Sequence, residues 1–260
     1  MKPGYTRYFF EIAYNGRNYS GWQVQPNSTT VQEVFEDCLR KKLREDTKTY
    51  GCGRTDAGVH ASQFFVHFGS AQELSSDLVR EMNAFLPRDI ACKRLWRVSD
   101  HLERQKLHAR FDAYERRYKY IISVGKDPFG IGLKTSLWAP NMNVELMQQA
   151  ADVLPEYENF KAFTRLESAV KNHLCEFKWA KWTQEGDDLV FEVCANRFLR
   201  SMVRKLVGTM VAIGTGKMTI DQMREAIDLQ DPTKTGMVAP PDGLYLTHVF
   251  YPENALTLVQ

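Results

Sequence analysis

The sequence predicts an α+β protein of two similar halves with mainly antiparallel sheets. Two observations carry this. Aromatic and β-branched runs alternate with amphipathic helical stretches in the order β-α-β-β-α-β, the split βαβ or ferredoxin-like pattern. The same element order then returns, without a residue-level repeat, so that 1–105 form one half and 106–260 the other.

The elements follow in chain order. Tyr8 to Tyr14 (YFFEIAY) reads as a strand, and Asn15 to Asn27 as a Gly/Asn/Pro loop. Thr30-x-x-Glu33 has the pattern of a capping box, and Val31, Val34, Phe35, Cys38, Leu39 and Leu43 follow at helical spacing. A short strand near Thr49 to Cys52 leads into a loop holding Asp56, and Gln63 to Phe68 is a further strand. A helix over Ser76 to Leu86 stops at Pro87, and Ile90 to Val98 closes the half. In the second half strands are expected over Asp112 to Val124, Leu174 to Trp182, Asp188 to Ala195 and Leu244 to Tyr251. Helices are expected over Val144 to Leu154, Phe198 to Ile213 and Thr219 to Leu229, the last opened by Thr219-x-x-Gln222. Two such halves would flank a central cleft, where ligand sites concentrate.

Of the 260 residues, 43% are hydrophobic and 25% charged, ordinary for a globular chain with a real core. No apolar run approaches the roughly 18 residues of a membrane helix, and no signal-peptide core follows Met1, so a cytoplasmic protein is expected. Five scattered cysteines without a C-x-x-C pair argue against a disulfide framework or structural zinc. The six histidines show no metal spacing, and no P-loop or G-x-G-x-x-G is present, so neither metal nor organic cofactor is expected. A net charge of +2 does not announce a nucleic-acid binder, but its distribution is uneven. Asn196 to Lys217 holds five basic residues and no acid, and Arg104 to Lys119 six against two. Such local basic segments suit a surface that meets phosphate on one side.

Three segments carry candidate chemistry. Asp56 lies in Gly53-Arg54-Thr55-Asp56-Ala57-Gly58-Val59-His60. A carboxylate presented by a glycine-flanked loop beside a guanidinium suits a nucleophile, but the residues alone favour a turn aspartate bonding its own backbone. An aspartic-protease reading would need a second matching Asp-Gly loop, and Asp242-Gly243 lacks the neighbours. Leu107 to Tyr120 interleaves aromatics with Arg and Lys, which suits RNA stacking and phosphate pairing or a core-facing Tyr stripe. On the 198–213 helix, Arg197, Arg200 and Arg204 are expected opposite the apolar stripe, as a solvated face or a phosphate-facing one.

Together these segments resemble the TruA family of pseudouridine synthases. Gly53 to Ala61 is similar to that family's catalytic loop throughout. Four further stretches resemble family motifs in family order: Tyr14-Asn15-Gly16 with Tyr19 to Gln23, His108 to Tyr120, Phe198 to Gly208, and Ala239 to Leu246. The resemblance implies the pseudouridine-synthase fold and isomerisation of uridines 38, 39 and/or 40 in the tRNA anticodon stem-loop. A homodimer with tRNA lying across both subunits is also implied. Asp56 matches the nucleophile, Tyr118 the tyrosine stacking on the target base, Arg204 the basic partner of the Asp, and Leu244 a leucine packing at the site. Arg54 matches the base-flipping arginine, and Leu107, His108, Ala109, Arg110 and Phe111 an RNA-contacting stretch. A weaker likeness over Phe160 to Asn172 adds Arg165 and Lys171. A non-catalytic RNA-binding relative would be expected to lack Asp56, Tyr118 or Arg204, and all three are present.

Overall fold

The computed structural model describes residues 5–99, 107–139, 141–164 and 172–260. The chain divides into two compact units, Met1–Tyr114 with Leu246–Gln260, and Glu115–Tyr245. This differs from a simple division after residue 105, a position outside the described residues. A C-terminal segment returns to complete the first unit.

The first unit contains β1 (Thr6–Tyr14), α1 (Val31–Leu43), β2 (Tyr50–Gly51), β3 (His60–Ser70), α2 (Asp77–Phe85) and β4 (Ile90–Val98). Strand β1 runs antiparallel between β3 and β4, with Phe10 opposite Val66 on one side and Leu95 on the other. The short β2 pairs antiparallel with β3. The core gathers on the helix-covered face: Phe10 stacks on Phe68 and meets Phe35 of α1 edge-on. Thr30 caps α1 by accepting the Glu33 N–H, and Arg40, Lys41 and Lys42 occupy the last turn, where cations complement the helix dipole.

The second unit contains β5 (Glu115–Val124), β6 (Thr135–Leu137), α3 (Val144–Asp152), β7 (Phe177–Glu185), β8 (Asp188–Ala195), α4 (Met202–Gly214) and α5 (Ile220–Asp228). Strand β8 lies antiparallel to both β5 and β7, and β6 pairs parallel with the end of β5. The expected capping box of α5 is complete, with both reciprocal Thr219–Gln222 bonds formed. Strand β9 (Leu244–Phe250) begins at the end of this unit, and most of it belongs to the first, as does β10 (Leu256–Leu258). There β10 pairs with β4, and β9 follows β3 in the strand order. No helix among the described residues is long and apolar enough to cross a membrane.

Two expectations need correction. The helix expected over 198–213 starts at Met202, because Ser201 sits in the left-handed region at φ 58° and interrupts the winding. Arg197 and Arg200 therefore precede the helix, and of the expected basic stripe only Arg204 is helical. The strand expected from Asp112 starts at Glu115, because residues 108–112 close a turn: the Asp112 N–H donates to the His108 carbonyl and the Asp112 carboxylate accepts from the His108 N–H.

Candidate functional site

The Asp56 loop is fastened on both sides of the aspartate. Before it, the Thr55 and Tyr14 hydroxyls lie 2.9 Å apart, and the Thr55 carbonyl accepts from the Trp22 N–H. After it, the Val59 N–H closes a turn onto the Asp56 carbonyl, with Gly58 at φ 78°, a left-handed position that suits glycine. The Gly58 N–H reaches the Tyr19 carbonyl, and buried His60 accepts the Gly16 N–H on Nδ1 at 3.1 Å. A Cβ on Gly16 would stand 1.9 Å from the Val59 carbonyl oxygen, so only glycine permits this approach. Trp22, Tyr14 and Phe64 pack their rings beneath, with Trp22 and Phe64 centroids 4.4 Å apart. The Tyr14-to-Gln23 motif is thus the clamp of the Asp56 loop. Asp56 is half-buried, and Arg54 on the same loop is exposed.

The 107–111 stretch also belongs to the first unit. Leu107 and Ala109 are buried, and the Leu107 carbonyl and both backbone groups of Ala109 are engaged. Arg7 donates to the Leu107 carbonyl, the Ala109 N–H donates to His67 Nδ1, and Tyr251 donates to the Ala109 carbonyl. His108 is half-buried, and Arg110 and Phe111 are exposed. Burial, then the Arg7 charge, then His108 hold the His67 pKa down at about 3, so this imidazole is neutral. His108 is pushed in the same direction, by burial first and then by Arg7.

In the second unit, Tyr118 lies on β5 opposite Val193, and Phe198 meets its ring edge-on at 5.0 Å. Phe198 in turn meets Phe177, which packs on Phe160. The residues just before α4 therefore set the Tyr118 ring. Arg204, half-buried in the first turn of α4, grips the 239 position twice: its Nε donates to the Ala239 carbonyl, and its own carbonyl accepts the Ala239 N–H. Gly208, one turn on, lets that segment lie flat, since a Cβ there would meet the Met237 carbonyl oxygen at 1.6 Å. Tyr120 donates to the Pro240 carbonyl, the Ile121 N–H reaches the Gly243 carbonyl, and Leu244 follows, buried. Three of the sequence motifs thus converge around one segment of this unit. Buried Lys205 donates to the carbonyls of Ala162, Thr164 and Pro232, binding two short 3-10 turns to α4, and its pKa is lowered by burial.

Asp56, Arg54 and the 107–111 stretch lie in the first unit, and Tyr118, Arg204 and Leu244 in the second. Arg165 and Lys171 fall outside the described residues. Among the described residues no cluster of three His, Cys, Asp or Glu side chains could hold a metal ion. Sequence reasoning missed the supporting roles of His60, Lys205 and Gly208. The glycines were the available signal, since each stands inside a motif where backbones approach closely.

Residues 157–252 match a family model described as tRNA pseudouridine synthase. Over 251 residues the chain is 43% identical to the tRNA pseudouridine synthase A of Parabacteroides distasonis, covering 95% of this chain and 97% of that protein. It is 42% identical over 252 residues to the enzyme of that name from Bacteroides thetaiotaomicron, covering 95% and 91%. With the Colwellia psychrerythraea protein of that name the identity is 35% over 252 residues, covering 95% of each.

Proposed function

The chain belongs to the tRNA pseudouridine synthase family, and from that premise we propose that it isomerises uridines 38, 39 and/or 40 of the tRNA anticodon stem-loop with Asp56 as nucleophile. Uridine-to-pseudouridine isomerisation in tRNA follows from the family. The positions and the residue roles are the further step. One observation supports the role of Asp56 above all. Thr55, Gly58 and His60 around it are all fastened, and Asp56 itself is half-buried between them. Rigid support of this kind is what holds a reacting group in its productive geometry.

The target nucleotide leaves its stack at a cost of a few kcal/mol. Arg54, exposed on the Asp56 loop, takes the vacated space. Tyr118, its ring set by Phe198, stacks on the uracil, and Leu244 packs beside it. Arg204 serves as the basic partner of Asp56. The N1–C1′ bond breaks, the base rotates, and C5 bonds to C1′. The proton lost from C5 is balanced by one gained at N1, so no co-reactant is consumed. Of the 107–111 stretch, His108, Arg110 and Phe111 meet RNA, and buried Leu107 and Ala109 serve as their scaffold, since the Leu107 carbonyl and both Ala109 backbone groups are already engaged. A cytoplasmic homodimer completes the proposal, and light scattering on the purified chain decides its subunit count.

Replacing Asp56→Ala should abolish tritium release from tRNA labelled at uridine C5 while tRNA binding persists. Turnover retained by this variant would overturn the assignment.

A further inference from the structure

Tyr50 stands on β2, before the catalytic-loop motif and outside every stretch that resembles a family motif. Its ring stacks nearly parallel on His67 of β3, at 4.9 Å and 15°, and the residue remains 49% exposed. His67 is only 3% exposed and is fixed by the Ala109 N–H at Nδ1 and by the tilted ring of Phe9. His108 meets His67 edge-on at 4.5 Å, and Phe111 lies against His108 at 4.4 Å. Phe111 is 74% exposed, and the Arg110 guanidinium sits 5.7 Å from its ring centre. Four rings thus run in continuous contact from Tyr50 to Phe111, open to solvent at both ends and braced from behind.

The chemistry of this surface selects its occupant. An exposed apolar ring alone would suit protein or RNA. Here the exposed end carries a guanidinium over the ring, with Arg7 bound nearby at the Leu107 carbonyl. The neighbouring carboxylate, Asp112, is occupied by the His108 N–H at 2.6 Å. Aromatic faces interleaved with guanidinium groups suit an unpaired nucleobase, whose π-face stacks while its phosphate meets the cation. The packed neighbours hold the rings before RNA arrives, so little side-chain freedom is lost on binding.

We propose that Tyr50 and Phe111 form a prebuilt stacking platform for an unpaired nucleobase of the RNA substrate other than the reacting uridine, with Arg110 meeting the adjoining phosphate. This rests on the proposal that the chain acts on tRNA, and it adds Tyr50 as a binding residue. The test is equilibrium binding of an unmodified tRNA transcript, measured beside steady-state pseudouridine formation, for the wild type, Tyr50→Phe, Tyr50→Ala and Phe111→Ala. Tyr50→Phe keeps the ring and should bind as the wild type does, and it also reports whether position 50 tolerates change without loss of fold. Tyr50→Ala and Phe111→Ala should each weaken tRNA binding roughly 5- to 100-fold, the range of one lost base stack. They should raise KM and leave kcat at saturating tRNA unchanged. A fully paired RNA duplex, which offers no free base, should bind all four proteins alike. Folded Tyr50→Ala binding tRNA within twofold of wild type would overturn the platform, as would equal losses for duplex and tRNA. If the wild type binds tRNA and loses it on Tyr50→Ala but forms no pseudouridine, the proposed reaction fails and the platform stands.

Discussion

His67 shows how one buried side chain ties a surface to the pH of the medium. Its pKa of about 3 lies far below the ordinary imidazole value, first because of burial, then because Arg7 and His108 oppose its protonation. A group whose folded pKa is depressed contributes stability that is full above its unfolded pKa and is lost as pH falls toward the folded one. The unfolded chain takes up the proton near pH 6.5. Stability should therefore be level above about pH 7 and fall between about pH 6.5 and 3, by about 2 kcal/mol at pH 5. Urea unfolding from pH 8 to pH 5 checks this, with His67→Asn expected to flatten the decline. The sequence could not supply this role. A histidine within QFFVHF reads as any strand residue until the Ala109 N–H is seen pointing at its Nδ1. His60 was legible only as part of a motif, and its grip on Gly16 spans a separation that no local pattern encodes.

At the scale of elements, most of the fold was legible because strand alternation, capping residues and Pro87 are local signals. Strands β4 and β8 begin and end where the pattern places them. The late start of α4 was not legible, because apolar spacing continues through Phe198 and Leu199 and the left-handed turn at Ser201 leaves no mark on it. Strand β6 has only three residues, too few for a period to show. The close approach at Gly208 supplies a test of α4 as the carrier of Arg204. Gly208→Ala should push the Met237 carbonyl off the helix and disturb the paired bonds between Arg204 and Ala239. Overpacking of this kind costs about 1–3 kcal/mol. The melting temperature should fall, and kcat should fall with it even at temperatures where the variant is fully folded. Wild-type kcat in the folded variant would show that the 237–239 segment does not matter to the reaction.

At the scale of the whole molecule, the division of the chain departs from the two successive halves that the sequence suggests, because the closing strands are shared unequally. The first unit needs residues from both ends of the chain. Strand β10 pairs with β4, the Ser99 N–H donates to the Ala255 carbonyl, the Val249 N–H to the Gln63 side chain, and Tyr251 packs on Phe9 and Phe65. The second unit is continuous in sequence and owns its core. A fragment of residues 115–245 should therefore fold alone, with a cooperative thermal transition, and a fragment of residues 1–114 should not until a peptide of residues 246–260 is added. Circular dichroism of the three samples checks this, and a cooperative melt by residues 1–114 alone would contradict it.

That interleaving sets an order of events during synthesis. Domains generally fold as they leave the ribosome, the earliest first. Here the portion bearing Asp56 emerges first yet lacks its closing strands until the entire second unit has been translated. A nascent chain interrupted before residue 246 would carry a finished second unit beside an unfinished first one, exposing the edge of β4. Unpaired strand edges attract other chains. Quality control by chaperones and proteases would thus meet incomplete copies through the same portion that carries Asp56, before any of them could act on RNA.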